Sequence, residues 1–503
     1  NDADNRIEVR QQRQITVQLT DGGKLNLKAN TSGADNTGNV YLAGVKDTML
    51  DISGTINTTQ DVKLLSDKGI RMNDGSIIAD NLIIQGGKGN VGSKDALIKT
   101  NISGNLEANT DTGYGVYLHQ TAAGGKPTQV LTIQDAATGT LVLKADNGMQ
   151  MTTEAGKNIG YLNANSINLQ AANGDIGKAD DGIRILENGA VINAKAENGS
   201  VYLQGAGTKD AGLVVDSITA KGNAKLNLDG DVNFGNDTGN GSISAGVDVT
   251  VNGNNVNLNA GTVTAGGASN ITAGKDVNVT TGSITSSGAG NITAGGDVNL
   301  SAGTVTAGGV SDINAGNDVK VTTGSITSTD AGNITAGNDV NLNSSTLVAG
   351  ADSVITATNG NIALGSSGIT VNGANNGLTL DANGSVMQDA AAAGITADNL
   401  TVESGKTQQL LSRNNKVKSL TIKGKNAGSS LIVNGVTRFN GTTDNLLVTV
   451  DDSHIKGDVL IENYQADTGK ITINSTIDTS KYNDEHTGNI TVTTDGDITT
   501  AGG

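Results

Sequence analysis

The stretch that decides the fold reads NITAGKDVNV and occupies residues 270–279. Close copies of it occupy residues 291–300, 312–321 and 333–342, so the pattern has a fixed period of 21. A longer unit is repeated as well, since residues 259–300 and 301–342 differ at only nine of 42 aligned positions. A fixed period sustained over several copies is typical of a solenoid, in which each repeat stacks on the next.

Apolar and polar residues alternate within each repeat. Thr272 lies between Ile271 and Ala273, and the same alternation returns at residues 277–279 and 283–285. Alternation of period two is the pattern of a strand with one buried face, and glycine-rich turns separate the three bursts. The sequence therefore predicts three short strands in each repeat.

Short strands with one apolar face cannot bury that face alone, but stacked repeats can. Each strand would pair with its counterpart in the next repeat, about 4.8 Å away along the stack. Parallel strands joined by such crossovers are almost always right-handed. We therefore predict an all-β right-handed parallel β-helix with about 21 residues and three short strands per coil. One interior ladder would contain Ile271, Ile292, Ile313 and Ile334.

The composition agrees with such a fold and excludes several functions. The chain has 503 residues, of which 71 are glycine, one is proline and only 2% are aromatic. Its interior must therefore consist of aliphatic rows joined by frequent turns. The absence of cysteine excludes disulfides and thiolate chemistry. The net charge of −17 argues against binding to nucleic acid, and no apolar run is long enough to span a membrane.

The remaining parts of the chain are more diverged but follow the same pattern. The motif VYL, for example, occurs at residues 40–42, 116–118 and 201–203. Because the chain opens and stops within its own pattern, we expect it to be a segment of a longer protein. We divide one continuous solenoid into diverged coils at 1–240, the regular array at 241–350, further coils at 351–405 and diverged C-terminal coils at 406–503.

Three motifs resemble those of a known family. They are NITAGGDVNL at residues 291–300, ANGDIG at 172–177 and NGSVYL at 198–203, and they look like repeats of the large exoproteins of bacterial two-partner secretion. This family includes filamentous-haemagglutinin-like adhesins and the stalks of contact-dependent inhibition proteins, and the similarity extends over most of the chain. The resemblance implies a secreted β-helix at the bacterial cell surface, used for adhesion or for holding a distal tip away from the cell.

The resemblance also implies the partners. The single proline, Pro127, cannot supply the Asn-Pro motifs of the family's secretion domain. We expect a non-catalytic structural and adhesive segment that forms a stiff rod and needs no cofactor. Its expected partners are a receptor or glycan on a host or neighbouring cell, an outer-membrane secretion pore during export, and further copies of the chain in fibres.

Two constellations in the array keep other functions open. Stacked carboxylates repel one another unless a cation bridges them or backbone N–H groups bond to them, so calcium sites and an ordinary turn role are both possible for the aspartate column. Outward hydroxyl residues, beginning with Thr262 and Thr264, resemble the Thr-x-Thr face of ice-binding β-helical proteins, although they also simply suit outward strand positions. The aspartate column contains Asp276, Asp297, Asp318 and Asp339.

A polysaccharide-degrading β-helical enzyme is the alternative function. Such enzymes use clustered carboxylates in a groove, but the aromatic platforms that sugar rings require are nearly absent from this composition. The histidines, His119, His454 and His486, are isolated from one another in the sequence. We therefore predict that the chain is not an enzyme.

Recognition is expected where the chain leaves the regular register. The two candidate segments are residues 104–125 and 406–425, the second of which is more basic than its surroundings. Tyrosine is enriched among the residues that carry most of the energy of binding interfaces. The candidate binding residues are therefore Tyr114, Tyr117 and His119.

Overall fold

The computed structural model describes residues 15–19, 24–30, 38–44, 47–121, 126–135, 139–152, 160–207, 211–235, 240–425, 433–434, 437–451, 455–456, 458–476 and 489–501. Strands are the regular secondary structure of these residues, and no helix occurs among them. The contacts divide the chain into two compact units, Asn1–Asn254 and Asn255–Gly503. Each unit is a parallel β-solenoid.

The first unit contains the strands β1 (Ile15–Leu19), β2 (Lys24–Asn30), β3 (Val40–Gly44), β4 (Met49–Asn57), β5 (Val62–Ser66), β6 (Ile70–Met72), β7 (Ile77–Ala79), β8 (Leu82–Gln85), β9 (Ile98–Ile102), β10 (Asn105–Thr110), β11 (Val116–Gln120), β12 (Thr128–Asp135), β13 (Thr140–Ala145), β14 (Met149–Met151), β15 (Leu162–Asn163), β16 (Ser166–Ala171), β17 (Ile183–Ile185), β18 (Asn188–Ala196), β19 (Val201–Gly205), β20 (Gly212–Ala220), β21 (Ala224–Asn227), β22 (Val232–Phe234), β23 (Ser242–Ala245) and β24 (Val249–Gly253).

The second unit contains the strands β25 (Val256–Asn259), β26 (Thr262–Ala265), β27 (Ser269–Ala273), β28 (Val277–Thr280), β29 (Ser283–Ser286), β30 (Gly290–Ala294), β31 (Val298–Ser301), β32 (Thr304–Ala307), β33 (Ser311–Ala315), β34 (Val319–Thr322), β35 (Ser325–Ser328), β36 (Gly332–Ala336), β37 (Val340–Asn343), β38 (Thr346–Ala349), β39 (Ser353–Ala357), β40 (Ile362–Gly365), β41 (Gly368–Val371), β42 (Gly377–Ala382), β43 (Val386–Gln388), β44 (Gly394–Ser404), β45 (Gln408–Leu410), β46 (Lys416–Gly424), β47 (Val433–Asn434), β48 (Thr437–Gly441), β49 (Asn445–Asp451), β50 (Ile455–Lys456), β51 (Val459–Asn463), β52 (Lys470–Ile473), β53 (Ile490–Thr494) and β54 (Ile498–Thr500).

The regular array of the second unit has three short strands per turn, stacked into three parallel sheets. Each strand pairs with the third strand after it, as in the ladder of Ile271, Ile292, Ile313 and Ile334, whose members pair directly with one another. These four side chains are at most 1% exposed. The predicted right-handed parallel β-helix and its interior ladders are therefore confirmed, because the strands stack in parallel with the predicted period.

Aliphatic side chains fill the interior of each turn. Val277, Val279 and Ile284 are each fully buried, and the equivalent residues of the next turn repeat the arrangement. Burial of an aliphatic side chain of this size stabilises a fold by about 1.5–3 kcal/mol. Stacked turns of small diameter leave room for such rows but for few aromatic rings, which accounts for the composition.

Outside the array the turns vary in length, and the average is about 22 residues. The turn from Val40 of β3 to its partner Val62 of β5 is shorter than the turn from Val116 of β11 to its partner Leu141 of β13. Some strands also continue around a corner, so that a turn contains fewer than three separate strands. β20 pairs with β22 through its first half and with β23 through its second half, with the exposed Asp216 between them. No glycine interrupts β20 after its first residue, so the strand bends without breaking.

One corner of each array turn requires a left-handed backbone. The residue at this corner has a φ between 52° and 56° although it is never glycine. A glycine follows all of these corner residues except Ser344, and it is confined as well, since a Cβ on Gly282 would lie 2.8 Å from the carbonyl oxygens of Leu258 and Gly261. A left-handed L-residue costs roughly 1–2 kcal/mol, so each of these corners stores strain. The column contains Ala260, Thr281, Ala302, Thr323 and Ser344.

Asparagine side chains form hydrogen-bonded ladders on the outside of the array. The Nδ2 of Asn278 donates to the Oδ1 of Asn257 at 2.9 Å, and Asn299 donates to Asn278 in the same way. In a second column, Asn291 donates to the turn before it, but its own Oδ1 is buried without a hydrogen-bond partner among the described residues. The reason is that Asp312 follows it in the column, and a carboxylate has no N–H to donate.

Candidate functional site

A concave surface lies beside the predicted candidate Tyr114, at a corner of the first unit. The turn between β10 and β11 contains Gly113, whose φ of 91° favours glycine. The Tyr114 N–H donates to the Asp111 carbonyl at 3.3 Å, and the Thr110 hydroxyl donates to the Tyr114 carbonyl at 2.9 Å. The turn stacks on the one before it, since the Asp111 N–H donates to the carbonyl of Gly87 at 2.8 Å. These bonds hold Tyr114 at the corner.

We call this concavity the corner recess and define it by five residues. It has a volume of about 480 Å³ and is lined by Lys88, Thr110, Asp111, Thr112 and Tyr114. The side chains of Lys88, Asp111 and Thr112 are exposed, whereas Tyr114 is half-buried. The recess therefore combines one aromatic ring with a cation, a carboxylate and hydroxyl groups.

A second lysine lies next to the corner recess but is already paired. The Nζ of Lys68 is 3.0 Å from the Oδ1 of Asp47. The hydrogen bond and the charge of Asp47 raise the pKa of Lys68 and outweigh the lowering caused by burial, while Tyr114 and Asp67 add smaller increases. Lys88, in contrast, forms no ion pair with another residue of the described part of the chain.

The structure separates the other two candidate binding residues from the recess. Tyr117 and His119 both lie on β11 with half-buried, outward side chains. The ring of Tyr117 lies against Gly115, where a Cβ would come within 2.7 Å of it. The Nε2 of His119 is 2.8 Å from the Oδ1 of Asp146. His454 and His486 lie outside the described residues.

The two segments expected to leave the register are largely regular. Residues 104–121 contain β10, the corner turn and β11, and residues 122–125 lie outside the described part. Residues 406–425 contain β45 and β46, which pair in parallel with their neighbours. The turn between them is held inside by Asn415, whose Nδ2 donates to the Gln388 Oε1 at 2.9 Å and whose Oδ1 accepts the Ile395 N–H at 2.8 Å. This segment is a packed turn instead of a protruding loop.

Each aspartate of the array column accepts a backbone hydrogen bond from the next turn. The Oδ1 atoms of Asp276, Asp297 and Asp318 accept the N–H group of the next aspartate in the column, at 2.8, 3.2 and 3.1 Å. Asp339 likewise accepts the N–H of Asn361 at 2.7 Å. This is the turn role proposed for the column.

Lys320 adds a cation beside this aspartate column. Its Nζ lies 3.2 Å from Asp297 and 3.1 Å from Asp318. Burial by itself would raise the pKa of Asp318, but the Asp339 N–H and the Lys320 ammonium outweigh burial and lower it. Among the residues the structure describes, no group of three or more His, Asp or Glu is placed to hold a metal ion. Calcium binding by Asp276, Asp297, Asp318 and Asp339 stays a prediction.

The outward hydroxyl residues of the array form aligned columns. Thr262 pairs with Ser283 and Thr264 pairs with Thr285, and the next turns continue both columns. The alignment follows directly from the constant register of the array. Ice binding by this face stays a prediction.

Sequence reasoning missed the buried carboxylate of Glu187. Glu187 lies between β17 and β18 and is completely buried. It accepts the N–H groups of Asp229, at 3.2 Å, and of Gly230, which belong to the turn two levels later. Gly205 leaves the space that the carboxylate occupies. The available signal in the sequence was a glycine at the same corner of two successive turns. A glycine there leaves room for a side chain from another turn.

Within the described residues, no helix has the length and apolar character needed to cross a membrane. The first unit presents a recess whose Lys88, Asp111 and Thr112 side chains have no partner among the described residues, and the second presents regular polar ladders. No family model, no curated protein and no solved structure matches this chain.

Proposed function

We propose that this chain is a non-catalytic structural and adhesive segment of a secreted bacterial surface protein, similar to the β-helical stalks of two-partner secretion exoproteins. The observation that carries the proposal is the array, in which nearly identical turns stack in parallel and the register is the same from turn to turn. Each turn bonds to the next through three sheets, so each unit resists bending and extension. The segment acts by its geometry and presents side chains at a fixed spacing.

The outer surface supports the same role. In the column of Asn257, Asn278 and Asn299 the amide side chains bond to one another, and the outward hydroxyl groups of the array are left to face water. The net charge of −17 limits non-specific association with other acidic surfaces. We propose a receptor or glycan on another cell as the attachment partner, a secretion pore as the partner during export, and no resident cofactor.

Attachment under flow tests the adhesive part of this proposal. Microspheres coated with the purified chain are passed over layers of epithelial and bacterial cells. The control microspheres carry the same chain after thermal unfolding, which preserves composition and charge. We expect several-fold more retention of the folded chain, and equal retention would contradict an adhesive role.

A separate assay tests the absence of catalysis. Acidic and neutral polysaccharides are incubated with the purified chain, and new reducing ends or unsaturated products are measured. We expect none above the buffer control. Release of products that disappears on substituting a single carboxylate would favour the polysaccharide-degrading alternative.

A further inference from the structure

We propose that the corner recess binds a sugar residue that carries a carboxylate group. This inference deepens the proposed adhesive function and rests on it. The volume of about 480 Å³ falls within the usual range for small-ligand sites, roughly 300–1,000 Å³. It accommodates a short oligosaccharide whose acidic residue contacts the recess.

The aromatic ring supplies the apolar contact. Tyr41 and Tyr464 are each covered by a cation, since Lys63 and Arg413 lie 5.7 and 4.1 Å from the respective ring centroids. Tyr114 has no cation over its ring among the described residues, and its ring lines the recess. A half-buried tyrosine fixed by its turn offers an apolar face together with a hydroxyl group, which suits the C–H face and the hydroxyl edge of a sugar.

The polar groups of the recess suit a ligand rich in hydroxyl groups. The side chains of Asp111 and Thr112 form no hydrogen bond with other described residues, so they are available to a ligand. The Thr110 hydroxyl, in contrast, already donates to the Tyr114 carbonyl and fixes the turn. A carboxylate and a hydroxyl beside an aromatic ring can accept and donate hydrogen bonds to neighbouring sugar hydroxyls.

Charge distinguishes an acidic sugar from a neutral one. Lys88 is exposed and has no ion-pair partner among the described residues, whereas the neighbouring Lys68 is held by Asp47. In a chain of net charge −17, an unpaired lysine inside a recess favours one anionic group of the ligand. Asp111 on the same surface works against ligands with several negative charges, such as phosphates, because like charges repel. A sugar residue with one carboxylate suits a recess that has one unpaired lysine and one aspartate.

Titration calorimetry of the full chain tests the proposal with two matched probes. They are cellotriose and the form of it in which a single residue is oxidised to a carboxylate at C6, so the two differ by one carboxylate. We expect the carboxylated trisaccharide to bind at least tenfold more tightly at low salt. Lys88→Gln should bring its affinity down to that of cellotriose, and Tyr114→Ala should weaken the binding of both at least tenfold.

Two control variants lie outside the recess. Lys94→Gln removes the charge of another exposed lysine, and Tyr161→Ala removes another half-buried tyrosine. Both should bind the carboxylated trisaccharide like the unaltered chain. Because Lys88 is exposed, its variant keeps its fold, and thermal melting checks this for the tyrosine variants.

The proposal is overturned if neither trisaccharide binds, or if binding is unchanged in both Lys88→Gln and Tyr114→Ala. The flow assay separates this result from a failure of the proposed function. Microspheres that attach to cells while the chain ignores both trisaccharides overturn only the sugar inference. Microspheres that do not attach contradict the adhesive function itself.

Discussion

Backbone strain at single residues is concentrated at the left-handed corner of the array. Thr281 and Thr323 carry β-branched side chains at a φ of 54°, a conformation that glycine adopts without a steric penalty. Each threonine hydroxyl donates to the carbonyl of the residue before it at 2.7 Å, which offsets part of the strain. The strain therefore arises from the threonine side chain, and a glycine with the same φ would be free of it.

Replacing the corner threonine with glycine should stabilise the second unit. We expect Thr281→Gly to raise the free energy of unfolding by about 0.5–1 kcal/mol, because relief of strain exceeds the added freedom of the unfolded chain. Thr280→Gly is the matched control, since Thr280 is an exposed residue of β28 without a positive φ. It should lower stability by about 0.5–1 kcal/mol. Denaturant unfolding followed by circular dichroism measures both, and equal effects would contradict the strain.

The buried carboxylate of Glu187 should make stability depend on pH. Burial raises its pKa above the ordinary value of 4.5, although the N–H groups of Gly230 and Asp229 oppose the shift. The folded state therefore binds the proton more tightly than the unfolded state. The contribution of Glu187 to the free energy of unfolding should increase as pH falls through its folded pKa and level off below about 4.5.

The comparison that isolates this effect is between the unaltered chain and Glu187→Gln. The difference between their free energies of unfolding should shift in favour of the unaltered chain as pH falls from 7 to 4. Glu187→Ala should be destabilised at every pH by about 2 kcal/mol or more, since it leaves the buried N–H of Gly230 and the N–H of Asp229 without their acceptor. If the difference in free energy of unfolding between the unaltered chain and Glu187→Gln does not change with pH, Glu187 does not make stability depend on pH.

Among the elements, the asparagine ladder across β27, β30, β33 and β36 has one defect. Asp312 of β33 accepts from Asn333 at 2.9 Å but cannot donate to the buried Oδ1 of Asn291. We expect Asp312→Asn to complete the ladder and to raise the free energy of unfolding by about 1–2 kcal/mol. Thermal or denaturant unfolding measures the change.

The control for this substitution removes the same charge elsewhere. Asp330 is an exposed turn residue of the same unit and is not part of the ladder. Asp330→Asn should change stability by less than about 0.5 kcal/mol. If both variants are stabilised equally, the gain comes from reduced charge repulsion instead of the ladder.

The strands of the array could be predicted because their information is local and periodic. Alternation identifies which side chains face inward, and the constant period places Ile271 over Ile292. The same reasoning identified the VYL strands, which are β3, β11 and β19. Outside the array, turn lengths vary, so the strand β20 that continues past its corner could not be inferred from a constant period.

The functional surfaces were less accessible to sequence reasoning. Tyr114 was identified as a candidate, but its recess depends on how the corner at Asp111 stacks on Gly87 of the preceding turn. Glu187 reaches the backbone of a turn two levels later. Such contacts depend on how turns of different lengths align with one another. A pattern within one turn does not contain that information.

At the scale of the whole molecule, we expect net charge to govern the association of copies. The chain carries a net charge of −17 at pH 7 and has an isoelectric point of about 4.5. We expect light scattering to increase strongly as pH falls from 7.5 to 4.5, because the repulsion between copies is lost. Added salt at pH 7.5 should produce a smaller increase by screening alone. Scattering that is unchanged at pH 4.5 would contradict the expectation, made from the sequence, that copies of the chain associate.

The near-identity of residues 259–300 and 301–342 has a genetic consequence. Deleting the second copy would join Leu300 to Asn343 and rebuild the strand sequence of β37. Recombination between the DNA segments that encode the two copies would therefore remove or add one whole copy, which is two complete levels of the stack, and the neighbouring levels would meet a sequence that differs at only nine of 42 positions. Strains of one species could thus differ in the length of this segment without any selection for a new fold.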